Sequence, residues 1–256
     1  MDPRSAYSSK AEDYAAHRPD YAGEAIEALF ELTGLDPDRV VADIGSGTGN
    51  LSRHLFGRAS RVFAVEPDDA MRHHAEHLLG GSASFESIRG AAEQTTLPDR
   101  CFDLITVGQA LHWFEGRPTR REFARILRSG GLLAVLWNQF GESGQPDLDD
   151  YFAPATYERR RFPVRIRETW EGFIGGARSA SNAPVPGEPD YADFEKAHRR
   201  DFDSRARDGR IEVSYTTTLV VGPLRGGPAE AGADRVPGGG GEARRGRSRR
   251  MGDVTF

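Results

Sequence analysis

The feature that most constrains the fold of this chain is a regular alternation of apolar, strand-like runs with helix-like segments over residues 39–137. The first two runs, Arg39–Ile44 and Arg61–Val65, are rich in valine, and two later runs, Asp103–Val107 and Leu132–Trp137, repeat the pattern. Short apolar runs separated by helical stretches are typical of buried parallel strands. The alternation therefore predicts an α/β fold with a parallel sheet and right-handed crossovers.

Three helix-like segments lie between these runs, at Gly49–Gly57, Asp69–Leu79 and Pro118–Arg128. The second segment begins at paired aspartates, which favour a helix start, and Gly130 with Gly131 closes the third. Two further stretches, Trp170–Asn182 and Tyr191–Phe202, carry aromatic residues at helical spacing. We expect them to form a small helical cap before a last strand at 211–221.

A glycine-rich loop follows the first strand, with the sequence Asp-Ile-Gly-Ser-Gly-Thr-Gly-Asn at residues 43–50. In an open parallel sheet, ligands bind beyond the carboxyl ends of the strands, where a glycine loop allows close approach to the backbone. A dinucleotide loop has a third glycine at the place of Asn50, and a phosphate-binding loop ends in a lysine that is missing here. Phosphate is therefore not the obvious ligand.

Two carboxylates accompany this loop. Asp43 precedes it, where it would repel a pyrophosphate and is able to orient an ammonium group. Glu66 ends the second strand, where a carboxylate is able to accept hydrogen bonds from both hydroxyls of a ribose.

Asp-Ile-Gly-Ser-Gly-Thr-Gly at 43–49, followed by Val-Glu-Pro at 65–67, resembles a class I S-adenosylmethionine-dependent methyltransferase. Residues 88–106 resemble the G-x-A-E, L-P and F-D-L stretch of small-molecule members, and residues 125–131 resemble their turn before strand five. The resemblance extends from about residue 14 to 215. It implies a Rossmann-like, doubly wound, mostly parallel seven-stranded sheet, complete or lacking its C-terminal edge, with S-adenosyl-L-methionine as cofactor.

The resemblance also implies roles for individual residues. The loop glycines would approach the methionine part and the ribose, Glu66 would hold the ribose hydroxyls, and Pro67 and Met71 would contact the adenine. Many relatives have aspartate at the position of Ala91, so adenine recognition is expected to be weaker or mediated by water here. The implied cofactor-binding residues are Tyr14, Arg18, Asp43, Gly45, Ser46, Gly47, Gly49, Glu66, Pro67, Met71, Ala92, Glu93, Gln109 and Ala110.

The acceptor side is expected after the fourth strand, where a His-Trp-Phe triplet at 112–114 resembles a subgroup of the family. His112 is a candidate catalytic base because its ordinary pKa is near neutral, and a structural role for it stays open. Trp113 and Phe114 are interpreted as packing residues. The lead-in that contains Tyr14 and Arg18 resembles a lid, in which Arg18 would pair with the cofactor carboxylate.

Composition changes sharply near residue 222. The last 35 residues contain ten glycines and seven arginines and carry few large apolar side chains, which predicts disorder. The tail also resembles a GC-rich frame read out of register, and we hypothesise a frameshift. The expected segments are a lid at 1–36, a cofactor-binding core at 37–140, a cap and acceptor region at 141–210, a last core strand at 211–221 and the tail at 222–256.

The remaining composition excludes several classes. The net charge of -5 gives no general reason to bind nucleic acid, and the N-P-P-Y signature of relatives that methylate nucleic acids is absent. The longest apolar run has six residues and the N-terminus is polar, so we expect no membrane segment and a cytoplasmic location. A single cysteine suits a reducing compartment, and no metal-ligand cluster is evident.

The expected function is methyl transfer from S-adenosylmethionine to a small organic O-, N- or C-nucleophile by direct in-line displacement, in a monomer or homodimer. Three alternatives stay open at this point. The first is a protein that binds the cofactor without turnover, and the second is a nicotinamide-dependent oxidoreductase, which Asn50 disfavours. The third is a nucleic-acid methyltransferase that the basic tail directs to its substrate.

Overall fold

The computed structural model describes residues 17–141, 145–180 and 183–228. Within these ranges the chain forms one sheet of seven strands, flanked by helices. The strands are β1 (Val40–Ile44), β2 (Arg61–Val65), β3 (Phe85–Ile88), β4 (Phe102–Gly108), β5 (Leu127–Gln139), β6 (Glu158–Glu168) and β7 (Ile211–Pro223). The helices are α1 (Gly23–Thr33), α2 (Ser52–Leu55), α3 (Asp69–Leu79), α4 (Gly116–Ile126), α5 (Trp170–Arg178) and α6 (Tyr191–Arg205).

The strand order is β3-β2-β1-β4-β5-β7-β6. Every neighbouring pair from β3 to β5 is parallel, whereas β7 runs antiparallel to both β5 and β6. The predicted Rossmann-like, mostly parallel sheet is thus confirmed, and its C-terminal edge is present. The order reverses between β1 and β4, so a ligand crevice is expected at the carboxyl ends of these two strands.

Apolar side chains cover both faces of the sheet. On one face, Phe123 and Ile126 of α4 belong to the same buried cluster as Ile105 of β4. On the other face, Leu29 of α1 belongs to a cluster with Val41 of β1. Helices on both faces bury the central strands completely, which explains why those strands read as continuous apolar runs.

Local sequence signals predict the bounds of some elements correctly and those of others only in part. Strand β2 and helix α3 have the predicted bounds, and Asp68 caps α3 by accepting hydrogen bonds from two backbone N–H groups of its first turn. The expected helix at 49–57 is a single turn, α2. Helix α4 ends at Ile126, two residues before the expected Arg128, because Leu127 already pairs with Phe102 of β4.

The strand β3 and the edge strand β6 were not predicted. β6 lies inside the segment 141–210 that we expected to form a helical cap, and it pairs with β7 along its whole length. Phe162, Val164 and Ile166 alternate with exposed residues along it, an amphipathic pattern that a search for continuous apolar runs does not detect. Arg159, Arg161, Arg165 and Arg167 are exposed on one face of the strand, together with Pro163.

The expected onset of disorder at residue 222 is wrong for the first residues of the tail. Gly222 and Pro223 continue β7 and pair with β5, and Leu224 is buried in the core. The reason is that Leu224 is a large aliphatic residue that packs in the same buried cluster as Phe152 and Val220. The predicted disorder and frameshift of residues 229–256 concern a segment outside the described residues.

The N-terminal part of the described chain is fastened to the carboxyl end of β5. The Asn138 amide Nδ2 donates to the carbonyls of Pro19 and Asp20, at 3.0 Å each. Thr217 on β7 donates its hydroxyl to Asn138 Oδ1 at 2.6 Å and accepts from the Ala22 backbone N–H at 2.9 Å. These bonds hold the segment beside the sheet end where the crevice lies.

A search of the described helices for one long and apolar enough to cross a membrane finds none.

Candidate functional site

The glycine loop leaves β1 in a tight turn against β2. The backbone N–H groups of Gly45 and Ser46 both donate to the Val65 carbonyl, at 2.9 and 3.2 Å. Gly45, Gly47 and Gly49 have φ angles of +68°, +56° and +84°, a region that side chains rarely adopt. The alternating glycines are therefore required by the path of the backbone.

The three glycines face different surroundings. A Cβ on Gly45 would lie 2.7 Å from Ala110 Cβ, and one on Gly49 would lie within contact distance of the Leu79 side chain. A Cβ on Gly47 would meet nothing within 4 Å, and Gly47 lines a cleft at the carboxyl ends of the strands. The loop is thus packed tightly at both ends and open in the middle, where a ligand is able to approach the backbone.

Glu66 stands at the end of β2 beside this opening. One carboxylate oxygen accepts from the Gly47 backbone N–H and the other from the Asp68 backbone N–H, both at 2.9 Å. The residue is only 8% exposed, and burial raises the pKa of Glu66 above its usual range, although these hydrogen bonds oppose the rise. Each oxygen keeps a lone pair with which to accept from a ligand hydroxyl.

Asp43 lies beneath the loop and is fully buried. Its carboxylate accepts from the hydroxyls of Ser52, at 2.6 Å, and Thr106, at 2.9 Å, so it ties α2 to β4 below the glycines. Burial raises the pKa of Asp43 to about 6, against the lowering effect of the two hydroxyls. Its position suits support of the loop, and any effect on a ligand passes through the loop backbone.

The opposite wall of the cleft is formed by the segment that follows β4. Gln109 has a φ of +59°, its backbone N–H donates to the Leu136 carbonyl at 2.9 Å, and its buried side-chain Nε2 has no hydrogen-bond partner. A strained non-glycine residue with an unmatched donor on a cleft wall indicates a place for a ligand acceptor. Trp113 and Phe114 line the same wall.

His112 and Arg18 stand outside the residues that line this cleft. The His112 ring lies 4.8 Å from the Trp113 ring, between centroids, and the residue is exposed. Partial desolvation and the charge of Arg18 lower the pKa of His112, so the neutral imidazole prevails at neutral pH. A neutral imidazole is able to accept a proton.

The structure brings most of the predicted cofactor residues together. Those on the cleft wall are Gly45, Gly47, Glu66, Pro67, Met71, Ala92, Glu93, Gln109 and Ala110. Ser46, Gly49 and Asp43 belong to the loop and its support but do not line the cleft. Tyr14 lies outside the described residues.

Five wall residues were not predicted as cofactor-binding: Asp68, Ala91, Gly108, Trp113 and Phe114. Asp68 was recognised only as a helix cap, and Trp113 and Phe114 only as packing residues. The signal for the two aromatic residues was their place directly after Gln109 and Ala110. Among the residues that the structure describes, no group of three or more His, Cys, Asp or Glu side chains is arranged to hold a metal ion.

Comparison with known proteins agrees with this geometry. Residues 42–135 match the family model of the methyltransferase domain. The uncharacterized methyltransferase Rv3342 of Mycobacterium tuberculosis is 35% identical over 132 residues, which are 52% of this chain and 51% of that protein. The ubiquinone/menaquinone biosynthesis C-methyltransferase UbiE of Ectopseudomonas mendocina is 31% identical over 126 residues, which are 46% of this chain and 48% of that protein.

The chain spans about half the length of the curated relatives that it matches. The crystal structure of the YcgJ protein from Bacillus subtilis aligns with 80% of this chain and 99% of its own, with a TM-score of 0.56 and 17% identity, and it shows that the fold is shared. The glycine loop, the acidic end of β2 and the strand order agree with the match over residues 42–135, so the chain resembles the class I S-adenosylmethionine-dependent methyltransferases.

Proposed function

We propose that the chain transfers a methyl group from S-adenosyl-L-methionine to a small organic acceptor by direct in-line displacement. The observation that carries the proposal is the cleft at the switch point, where the open middle of the glycine loop faces a buried carboxylate. Gly47 and Glu66 are linked there by a hydrogen bond of 2.9 Å, so the loop and the acceptor of hydroxyl groups form one unit.

The residues present fit this cofactor. Gly47 leaves room for a ligand against the backbone, and the unmatched Nε2 of Gln109 is able to donate to a carboxylate or carbonyl oxygen. Glu66 would hold the ribose hydroxyls, while Pro67 and Met71 supply an apolar surface for the adenine. Ala91 has no carboxylate to accept from the adenine amino group, so the backbone of Ala91 and Ala92, together with water, would recognise the adenine.

When bound, S-adenosylmethionine supplies an electrophilic methyl group on a sulfonium, and its departure leaves a neutral thioether. The chain itself has to align an acceptor atom with that methyl group and to exclude water. Proximity and orientation contribute on the order of 7–11 kcal/mol in such reactions, whereas a positioned base adds about 10²–10⁴-fold.

On the acceptor side, Trp113 and Phe114 provide apolar walls that exclude water. His112, held neutral by its surroundings, would accept a proton from an O- or N-nucleophile. Residues 17–22 and the helices α5 and α6 would close over the acceptor as lid and cap. The similarity to a C-methyltransferase keeps carbon acceptors within the same proposal.

We place the reaction in the cytosol, where the single Cys101 stays reduced, and assign it to a monomer or homodimer. A small-molecule acceptor is favoured over nucleic acid because the chain as a whole is acidic.

The first test is calorimetric titration of the full chain with S-adenosylmethionine and S-adenosylhomocysteine, with NAD as the control. Micromolar binding of the first two alone is expected. Binding of NAD alone would revive the oxidoreductase alternative. Incubation with acceptor libraries then tests turnover through formation of S-adenosylhomocysteine, and binding without any turnover would favour the cofactor-binding alternative.

A further inference from the structure

Glu93 stands on the cleft wall, yet its hydrogen bonds run to α4. Its Oε1 accepts from the Glu115 backbone N–H at 3.0 Å and from the Thr119 hydroxyl at 3.4 Å. Glu115 is the N-cap of α4, and its own side chain makes no capping hydrogen bond. Glu93 therefore satisfies the N–H of the N-cap residue from another element, as the glutamate of a capping box does, at a helix end where a carboxylate is favoured.

The helix end that Glu93 holds is also the end of the cleft-lining segment 109–115. At its beginning, the Gln109 backbone N–H donates to the Leu136 carbonyl of β5 at 2.9 Å. At its end, Glu115 donates to Glu93. The segment between them carries Trp113 and Phe114 and is fixed at two points, one of which belongs to the loop that follows β3.

A second carboxylate joins the same two elements away from the cleft. Glu122, in the middle of α4, accepts from the Thr95 backbone N–H at 2.8 Å and from the Thr95 hydroxyl at 2.6 Å, both at Oε1. Glu122 does not line the cleft. Each tether accepts one backbone N–H and one threonine hydroxyl, but Glu122 also pairs with Arg125, at 2.6 and 2.9 Å, and of the two carboxylates Glu93 alone lines the cleft.

We propose that Glu93 is a positioning residue that couples the cofactor side of the cleft to the acceptor side. The proposal rests on the proposed function. A ligand that contacts Ala91 and Ala92 restrains the backbone that carries Glu93, and Glu93 in turn restrains segment 109–115. Cofactor occupancy thereby orders the aromatic wall against which the acceptor is placed, which makes the binding of the two substrates cooperative.

The test compares Glu93→Ala with Glu122→Ala by amide hydrogen exchange, with and without S-adenosylhomocysteine. In the unaltered protein, we expect the ligand to slow exchange in residues 109–119 by about ten-fold or more, the scale of one charge-assisted hydrogen bond. Glu93→Ala should lose this slowing when the ligand is present at saturation. Glu122→Ala should lower the melting temperature and keep the slowing.

Glu93→Gln is the second variant in case the alanine variant does not fold. It keeps one carbonyl oxygen as an acceptor without the charge, so we expect a smaller slowing than in the unaltered protein. Slowing that persists in both Glu93 variants would overturn the coupling. Equal loss of slowing in Glu122→Ala would overturn it too, because the effect would then be general loosening of α4.

A fall in ligand affinity of more than about ten-fold in Glu93→Ala, with the slowing retained at saturation, would identify Glu93 as a cofactor ligand instead. Failure of the proposed function itself is distinguishable: the unaltered protein would then give a flat calorimetric trace with S-adenosylhomocysteine, and the coupling would fall with it. Binding without any change of exchange in 109–119 of the unaltered protein would overturn the coupling alone.

Discussion

The two walls of the cleft are held in place by different chemistry. On the side of β1 and β2, backbone groups do most of the work: Gly45 and Ser46 donate to Val65, and Gly47 donates to Glu66. On the side that follows β4, side chains add to the backbone hydrogen bond of Gln109: Glu93 accepts at the start of α4, and Asn138 donates to the N-terminal segment.

This difference explains how much each wall is able to vary. A wall built from backbone groups needs glycines at fixed positions, so the spacing of these glycines in the sequence predicts the class of ligand. A wall built from side-chain contacts is satisfied by many combinations of residues, which permits different acceptors on one scaffold. The four predictions below probe this difference, from the largest expected effect to the smallest.

Gly45→Ala probes the contact between the two walls, where Gly45 faces Ala110 and Phe114. The new Cβ would crowd Ala110 and Phe114 at a φ of +68°. Left-handed backbone and overpacking together should lower the free energy of unfolding by about 2–5 kcal/mol. The control Gly34→Ala has a similar φ of +59° but open space, so it should lose only the backbone part, about 1–2 kcal/mol. If urea unfolding gave the same loss of unfolding free energy for both variants, the contact between Gly45 and the opposite wall would not be tightly packed.

Asp43→Asn probes the support beneath the backbone-held wall. Because the pKa of Asp43 is about 6 in the folded protein and 3.8 in the ordinary side chain, the folded state binds more protons between these values. The stability of the unaltered protein relative to the variant should therefore fall by on the order of 3 kcal/mol as pH rises from about 4 to 7. Urea unfolding across this range measures it, and a pH-independent difference would contradict it.

Asn138→Ala probes the side-chain-held wall. It removes both donors to Pro19 and Asp20 and leaves the Thr217 hydroxyl without its acceptor, which should cost about 2–3 kcal/mol of unfolding free energy. The affinity for S-adenosylhomocysteine should change by less than about ten-fold, because the glycine loop is untouched. In the double variant with Thr217→Val, the losses of unfolding free energy should not add. Additive losses would mean that the two residues act independently.

Glu66→Ala probes the carboxylate that the backbone-held wall presents to the cleft. Loss of its carboxylate should weaken S-adenosylhomocysteine binding by about 1–3 kcal/mol. Because burial raises the pKa of Glu66, affinity of the unaltered protein should also decline at a less acidic pH than an ordinary glutamate would give. Glu76→Gln, on the exposed face of α3, is the control. Unchanged affinity in Glu66→Ala would remove the ribose assignment.

The same division decides what the sequence predicts. Glycine spacing, the Asp68 cap and the apolar runs are local signals, so the sequence alone predicts β1, β2, α3 and the loop. β6 is stabilised by pairing with β7 over a long sequence separation, and its apolar residues alternate with exposed ones, so it forms no continuous apolar run. The partners of Glu93 and Asn138 depend on tertiary contacts that no local pattern encodes.

The edge strand β6 also sets a limit on how copies of this protein associate. A free strand edge is a template for another strand, and proline together with exposed charge is what discourages such pairing. Pro163 has no N–H to donate, and the exposed arginines on either side of it would face like charges in a second copy. Sheet extension across this edge is therefore disfavoured, and we expect any homodimer to use another surface.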